Sequence, residues 1–250
     1  MTEFNPIPIA KLQEGFEECY KQIEIPCDSA DILYKEKKFS IAVALLVLAR
    51  EECAKLTLLL FCILENREIS KKEWMSYTGG RGVHANKLVG MIKESQKTMT
   101  KLGPEKYNQM KDYFNKLKIP KTVRSFEETT STNHKLFENL KILNNIKQDC
   151  FYLDWDKKDW NVITKRSKIQ LKSLVYVLKT TTRSTLYGHK YMNLFNKFNT
   201  NRITDNELLR MKDYESKWIK AHHELRSKNG IKKLKLMHVV LEDYSNKMKK

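Results

Sequence analysis

Most of this chain alternates apolar and polar positions in a way that predicts helices. Residues 8–24 read as a first helix, which Ile25-Pro26 is expected to end, because proline disfavours helical geometry in the residue before it. Asp28 or Ser29 then caps a second, short helix to about Lys38, and Ser40 caps a third. The body of that third helix, IAVALLVLAREECAKLTLLLFCIL over Ile41–Leu64, is the most apolar stretch of the protein. It is long enough to span a membrane. However, Arg50, Glu51, Glu52 and Lys55 sit at its centre, where each charge costs about 2.5–3.5 kcal/mol or more in a bilayer. A helix apolar nearly all round is therefore expected at the centre of a bundle.

Beyond it, Trp74 precedes YTGGRGVH, and Gly79, Gly80, Gly82 and Gly90 mark a loop followed by a helix carrying His84 and Lys87. Residues 104–117 suit a polar amphipathic helix, 118–133 a connection with Pro120 and a Ser/Thr run, and 134–148 another helix. In DCFYLDWDKKDWNV, Cys150–Leu153 is extended in character and two tryptophans flank a charged turn; this segment is expected to pack across the bundle rather than join a sheet. Residues 162–180 are helical, with Ile169, Leu171, Leu174, Val175 and Leu178 inward. Asp205 caps a helix to about Leu225, and Gly230 precedes a basic last helix. There is no internal repeat, and the 118–133 connection is at most a weak boundary, so residues 1–250 read as a single helical domain.

Composition sharpens this picture. Only 8 Gly and 5 Pro occur in 250 residues, which favours long helices and excludes an all-β fold. At 41% hydrophobic and 31% charged, the chain is neither disordered nor a membrane protein. Lys+Arg is 47 against Asp+Glu 30, a net charge of +17. Such a surplus favours polyanions, with nucleic acid first and an anionic membrane surface second, although a lysine-rich surface also serves solubility alone. Cys19, Cys27, Cys53, Cys62 and Cys150 form no CxxC pair and are odd in number. The opening MTEFNPIPIAKLQEGF lacks the basic-then-apolar order of a signal peptide. A reduced, cytoplasmic setting is expected, with the thiols as small buried apolar groups, and neither metal nor cofactor.

Two clusters carry candidate chemistry. Lys55 lies at i+4 from Glu51 and i+3 from Glu52, so both carboxylates can reach it on one helix face. Charges in so apolar a run are either paired structurally, at a helix–helix contact, or put to use. The second cluster is Thr78-Gly79-Gly80-Arg81-Gly82-Val83-His84 with Lys87. Glycines let backbone N–H groups turn inward as an anion nest, and Arg81, His84 and Lys87 add side-chain donors; the plain alternative is a loop with a surface histidine. No GK[ST] follows, so this is not a Walker A loop.

The run Ser29-Ala30-Asp31-Ile32-Leu33, Phe39-Ser40-Ile41-Ala42 and Ala49-Arg50-Glu51-Glu52-Cys53-Ala54-Lys55 resembles the AbiV family of abortive-infection proteins. Trp74 with His84-Ala85-Asn86-Lys87-Leu88, and Cys150-Phe151-Tyr152-Leu153-Asp154-Trp155 with Trp160, look like its later segments. The resemblance covers roughly residues 25–180 and leaves 200–250 as additional C-terminal helices. It implies an all-α, HEPN-like helical bundle and a role in phage defence. It further implies a metal-independent endoribonuclease working as a homodimer, with a phage protein as trigger and RNA as partner. The usual HEPN motif, Arg-x(4–6)-His, has one match, Arg183 to His189, with Ser184 where Asn, Asp or His is more typical.

Either set could serve the same chemistry: a base takes the 2′-OH proton and a cation stabilises the charge on phosphate. In the first set His84 is the base or acid, Lys55 and Lys87 are the phosphate ligands, and Glu51 or Glu52 orients Lys55 or His84. In the second, His189 is the base or acid and Arg183 the phosphate ligand. Arg81, Lys87 and Arg183 are the candidate nucleic-acid contacts. His222 and His223 lie on a polar helix, His134 begins a helix, and His238 reads as a packed histidine. Phe151, Tyr152, Trp155 and Trp160 suit core packing better than base stacking. The competing class is a non-catalytic effector that binds RNA, ribosomes or a phage protein. A third class, a membrane-surface effector, would use the basic C-terminal helix with Lys232, Lys233 and Lys235.

Overall fold

Spacings of three and four residues place Leu12, Phe16, Tyr20, Ile23, Cys27 and Ala30 on one buried face of helix α1 (Ile9–Lys35). The structure, a computed structural model, describes residues 6–78, 142–148, 150, 154–156, 159–161 and 168–248. Pro26 lies inside α1, so the expected break at Ile25 and the separate helix capped by Asp28 or Ser29 are not formed. A proline in a helix interior costs about 3 kcal/mol. Ile23, Cys27 and Ala30, buried on both sides of it, outweigh that: a fully buried isoleucine alone contributes about 1.5–3 kcal/mol.

Helix α2 (Phe39–Glu65) turns back antiparallel to α1. Sixteen of its 27 residues are buried, on faces all round, as its apolar run predicts for a central helix. Lys38 is its N-cap, without a side-chain cap bond, and Ser40 lies inside the helix rather than capping it. Asn66 ends it in the left-handed region at φ 49°, with its N–H on the Cys62 and Ile63 carbonyls. The Leu59 side chain lies against Gly15 of α1, and the Cys19 thiol approaches the Glu52 carbonyl at 3.8 Å. Beyond α2, Ile7 and Ile69 exchange both backbone hydrogen bonds, at 3.0 and 3.2 Å, which ties the chain before α1 to the end of α2. Helix α3 (Lys71–Thr78) follows. Helical segment 142–148 adds Ile142, Leu143 and Ile146 to the core.

Strands β1 (Asp154–Asp156) and β2 (Asp159–Asn161) pair antiparallel with Trp155 opposite Trp160. The segment thus contributes a two-stranded antiparallel ladder, where a segment outside any sheet was expected.

Helix α4 (Lys168–Asn199) runs 32 residues, well past the expected end near residue 180. Leu171, Leu174, Val175 and Leu178 are buried as expected, but Ile169 is 65% exposed, because it sits on the first turn before α4 meets its neighbours. Lys172 lies over the Phe39 ring and His189 meets Thr57, so α4 runs parallel to α2 in a fixed register. Against α1 it runs antiparallel along an ionic seam: Lys179 to Asp31 at 2.8 Å, Arg183 to Asp31 at 2.7 Å and Asp28 at 3.2 Å, and Lys190 to Glu17.

Helix α5 (Asp205–Arg226) starts from a capping box in which the Thr204 hydroxyl accepts from the Glu207 N–H and the Glu207 carboxylate accepts from the Thr204 N–H. Thr204, not Asp205, is therefore the cap. Helix α6 (Lys228–Met248) includes Gly230, which was expected just before it. A Cβ at Gly230 would lie 2.3 Å from the Glu224 carbonyl, so the sharp α5–α6 corner needs glycine there. Gly188, in the middle of α4, lets Trp218 of α5 approach: a Cβ there would sit 3.0 Å from its indole nitrogen. Trp218 stacks on Tyr191 and meets His222 edge-on, so it has little room to retreat. Gly188→Val is expected to destabilise the protein by about 1–3 kcal/mol through overpacking at this crossing, read as a lower midpoint in urea unfolding. Among the described residues no helix is long and apolar enough to cross a membrane.

Candidate functional site

The charges at the centre of α2 do not act as one group. Each residue turns the helix by 100°, so Arg50, Glu51 and Glu52 face three directions. Glu51, 1% exposed, receives the Lys147 ammonium of segment 142–148 at 2.5 Å. Lys55 binds Glu52 at 2.6 Å, and both of those side chains reach the surface. Glu51 and Lys55 therefore point to different partners, and the shared face expected from their spacing is not used. The Glu51–Lys147 pair is the structural ion pair at a helix–helix contact. Arg81, His84 and Lys87 lie outside the described residues, as do His134 and the side chains of Phe151, Tyr152, Trp155 and Trp160.

Arg183 and His189 lie in the body of α4, not at a helix end. Six residues leave them about 120° apart around the helix and about 9 Å apart along it. Arg183 turns to α1, where burial opposes its charge but Asp31 and further neighbours prevail and hold its pKa above the ordinary value. His189 turns to α2, with Nε2 2.8 Å from the Thr57 hydroxyl. Burial pushes its pKa down to about 4; a bond to the Thr185 carbonyl opposes the shift and the Arg50 charge adds to it. The ring is neutral at physiological pH. The Thr57 hydroxyl has one proton and also lies 2.8 Å from the Cys53 carbonyl. The neutral ring has a single N–H; with it on Nδ1, toward the Thr185 carbonyl, Nε2 accepts from the Thr57 hydroxyl. The two motif residues thus serve opposite sides of α4.

Arg183 also lines a cleft between α4 and α5 of about 190 Å³, with Lys179, Tyr187, Lys217, Lys220 and Glu224. Lys217 binds Asp213 at 2.6 Å and lies over the Tyr187 and Tyr214 rings. Lys233 of α6 sits 3.8 Å over the Tyr176 ring, and burial and the neighbouring Lys179 push its pKa down. Residues 168–250 hold 19 Lys+Arg against 7 Asp+Glu, so they carry +12 of the net +17. Lys179/Arg183 and Lys217/Lys220 are i,i+4 and i,i+3 pairs. That spacing was the available signal for the cleft, but only the fold brings the two pairs together.

His222 is held below its ordinary pKa by burial first, with the Arg226 charge and the adjacent His223 adding to it. His238 is exposed and pairs with Glu242 at 3.1 Å, so it is not a packed histidine; it projects from the open side of α6. Among the described residues no group of three His, Cys, Asp or Glu side chains is arranged to hold a metal ion. None of the five cysteines is in a disulfide, and burial raises the Cys27 thiol to about 12 and Cys53 further, so neither of these two is a nucleophile at neutral pH.

A family model, HEPN_AbiV, described as AbiV, matches residues 11–182. Comparison with curated proteins and with solved structures returned no match.

Proposed function

The chain belongs to the AbiV family of HEPN-type proteins, and on that premise we propose that it is an abortive-infection effector of phage defence that binds RNA across the basic face of α4, α5 and α6. The carrying observation is the convergence of Lys179, Arg183, Lys217 and Lys220 on one cleft in the part of the chain that holds most of the positive charge. A polyanion gains affinity there by releasing counterions. Tyr187 in the cleft wall offers a ring face beside these cations.

A second reading, metal-independent RNA cleavage, is favoured by His189. A neutral imidazole can accept a 2′-OH proton, and the Arg50 cation is near enough to depress its pKa. Against it stands the separation of Arg183 from His189. Examining total RNA before and after growth arrest separates the two: intact RNA fits arrest by binding, discrete cuts fit cleavage. For binding itself, the double variant Lys217→Glu/Lys220→Glu is expected to weaken single-stranded RNA at least tenfold. Its salt slope should fall by roughly 0.7 per lost phosphate contact. Unchanged affinity in a gel-shift titration would place RNA elsewhere. Homodimerisation and a phage-protein trigger belong to the same proposal; sizing the purified chain with and without phage lysate tests both.

A further inference from the structure

Asp31 is one carboxylate with two cationic partners, and both partners line the α4–α5 cleft. Its Oδ1 accepts from the Lys179 ammonium at 2.8 Å and its Oδ2 from the Arg183 guanidinium at 2.7 Å. Lys179 and Arg183 lie one turn apart on the same face of α4. The two oxygens of a single carboxyl group therefore hold two long side chains side by side. Free in water, each of them would sample many rotamers. In the fold Lys179, Arg183 and Asp31 keep 32%, 28% and 26% of their side-chain exposure.

Holding these cations does not exhaust them. An ammonium has three N–H groups, and Lys179 gives one to Asp31. A guanidinium has five, and Asp28 and Asp31 both meet Arg183 at the same nitrogen, Nη2. Its Nη1 and Nε have no partner among the described residues. Asp28 is the looser neighbour, 74% exposed and 3.2 Å away. The two cations share Asp31 and together keep a positive balance against it. Their common reach to one carboxyl group shows that they converge closely enough for one phosphate to meet both.

We propose that Asp31 is a positioning residue of this cleft: it fixes Lys179 and Arg183 so that their remaining N–H groups meet one backbone phosphate of an RNA strand. This role rests on the cleft being the RNA site. Two effects of Asp31 oppose each other. Its charge repels the strand, and its grip removes in advance the rotamer freedom that two flexible cations would lose on binding. One charge on a partly exposed, salt-screened group changes affinity about twofold. Pre-ordering two such side chains is worth about fivefold or more. The ordering is the larger effect, so α1 helps the cleft although it places a carboxylate in it.

The test is a gel-shift titration of the full chain with a short single-stranded RNA at several salt concentrations. Asp31→Asn keeps the side-chain shape, and the partly exposed pairs it breaks are not what holds the fold. It is expected to weaken binding about fivefold, although it raises the net charge of +17 by one. The salt slope should fall by roughly 0.7 for each phosphate contact that loosens. Asp28→Asn also removes a charge beside Arg183 but leaves the shared carboxylate, and should bind as tightly as wild type or more tightly. In a Lys179→Gln/Arg183→Gln background Asp31→Asn should cause no further loss, because it acts through those two side chains. An Asp31→Asn variant that binds as tightly as wild type or tighter overturns the positioning role, and so does an equal loss in the Lys179→Gln/Arg183→Gln background. Unchanged affinity in Lys217→Glu/Lys220→Glu instead removes the cleft as the RNA site, and the role of Asp31 with it.

Discussion

Glu51→Leu is expected to cost about 3–5 kcal/mol of stability, the range for stranding one member of a buried ion pair. The reason is specific to this fold. Lys147 comes from a segment 96 residues away in sequence and is buried where it meets Glu51. Without the carboxylate its ammonium has neither water nor counter-charge. Adding Lys147→Met is expected to recover most of the loss, because two apolar side chains of similar volume suit the surrounding leucines and isoleucines. Urea-unfolding midpoints of the two single variants and the double variant check this through a double-mutant cycle. Were Glu51 instead a catalytic group that only tolerated Lys147 nearby, both single variants would keep wild-type stability.

The second large effect is on acid stability. The His189 pKa is about 4 in the folded protein and about 6.5 in the unfolded chain. The unfolded state therefore binds more protons between these values, and stability rises with pH across that window. It is fully present above about pH 6.5 and is lost progressively as pH falls towards 4, by roughly 3 kcal/mol. Carboxylates with lowered pKa values, Glu73 and Glu207 among them, also withdraw stability on acidification, but only below the ordinary carboxylate range. His189→Gln keeps a hydrogen-bonding partner for Thr57 and should flatten the profile between pH 5 and 6.5 while leaving its lower limb in place. A parallel profile in the variant would show that the imidazole is not the titrating group.

These two sites also show what a sequence reveals and what it withholds. The central position of α2 was legible because burial on every side demands apolar residues on every side, and the run from Ile41 to Leu64 has them. The charges within that run were legible as anomalies. The long-range partners of α2 were not, since Lys147 reaches Glu51 and His189 reaches Thr57 from distant segments and no local spacing encodes such a contact. The local rule predicted Lys55 for both carboxylates, and tertiary packing gave one of them to Lys147. Pro26 and Asp28 looked like a break because they are one in isolation; the buried face spanning them decided otherwise. Arg183 and His189 satisfied a motif by separation alone, and the 100° turn per residue sent them to opposite sides of α4.

The match to the family ends at residue 182, in the middle of α4. That helix is a continuous rod about 48 Å long. α1 and α2 hold it as far as His189 and Lys190, and α5 packs along it from Lys197 back to Tyr176, so no joint separates the family core from the C-terminal helices. Cutting the chain at the family limit would remove Leu186, Tyr191 and Leu194, all buried in the intact protein, together with the His189–Thr57 and Lys190–Glu17 contacts that α2 and α1 make with α4. Such a fragment would aggregate, and the C-terminal extension has to be inherited, engineered and moved together with the core.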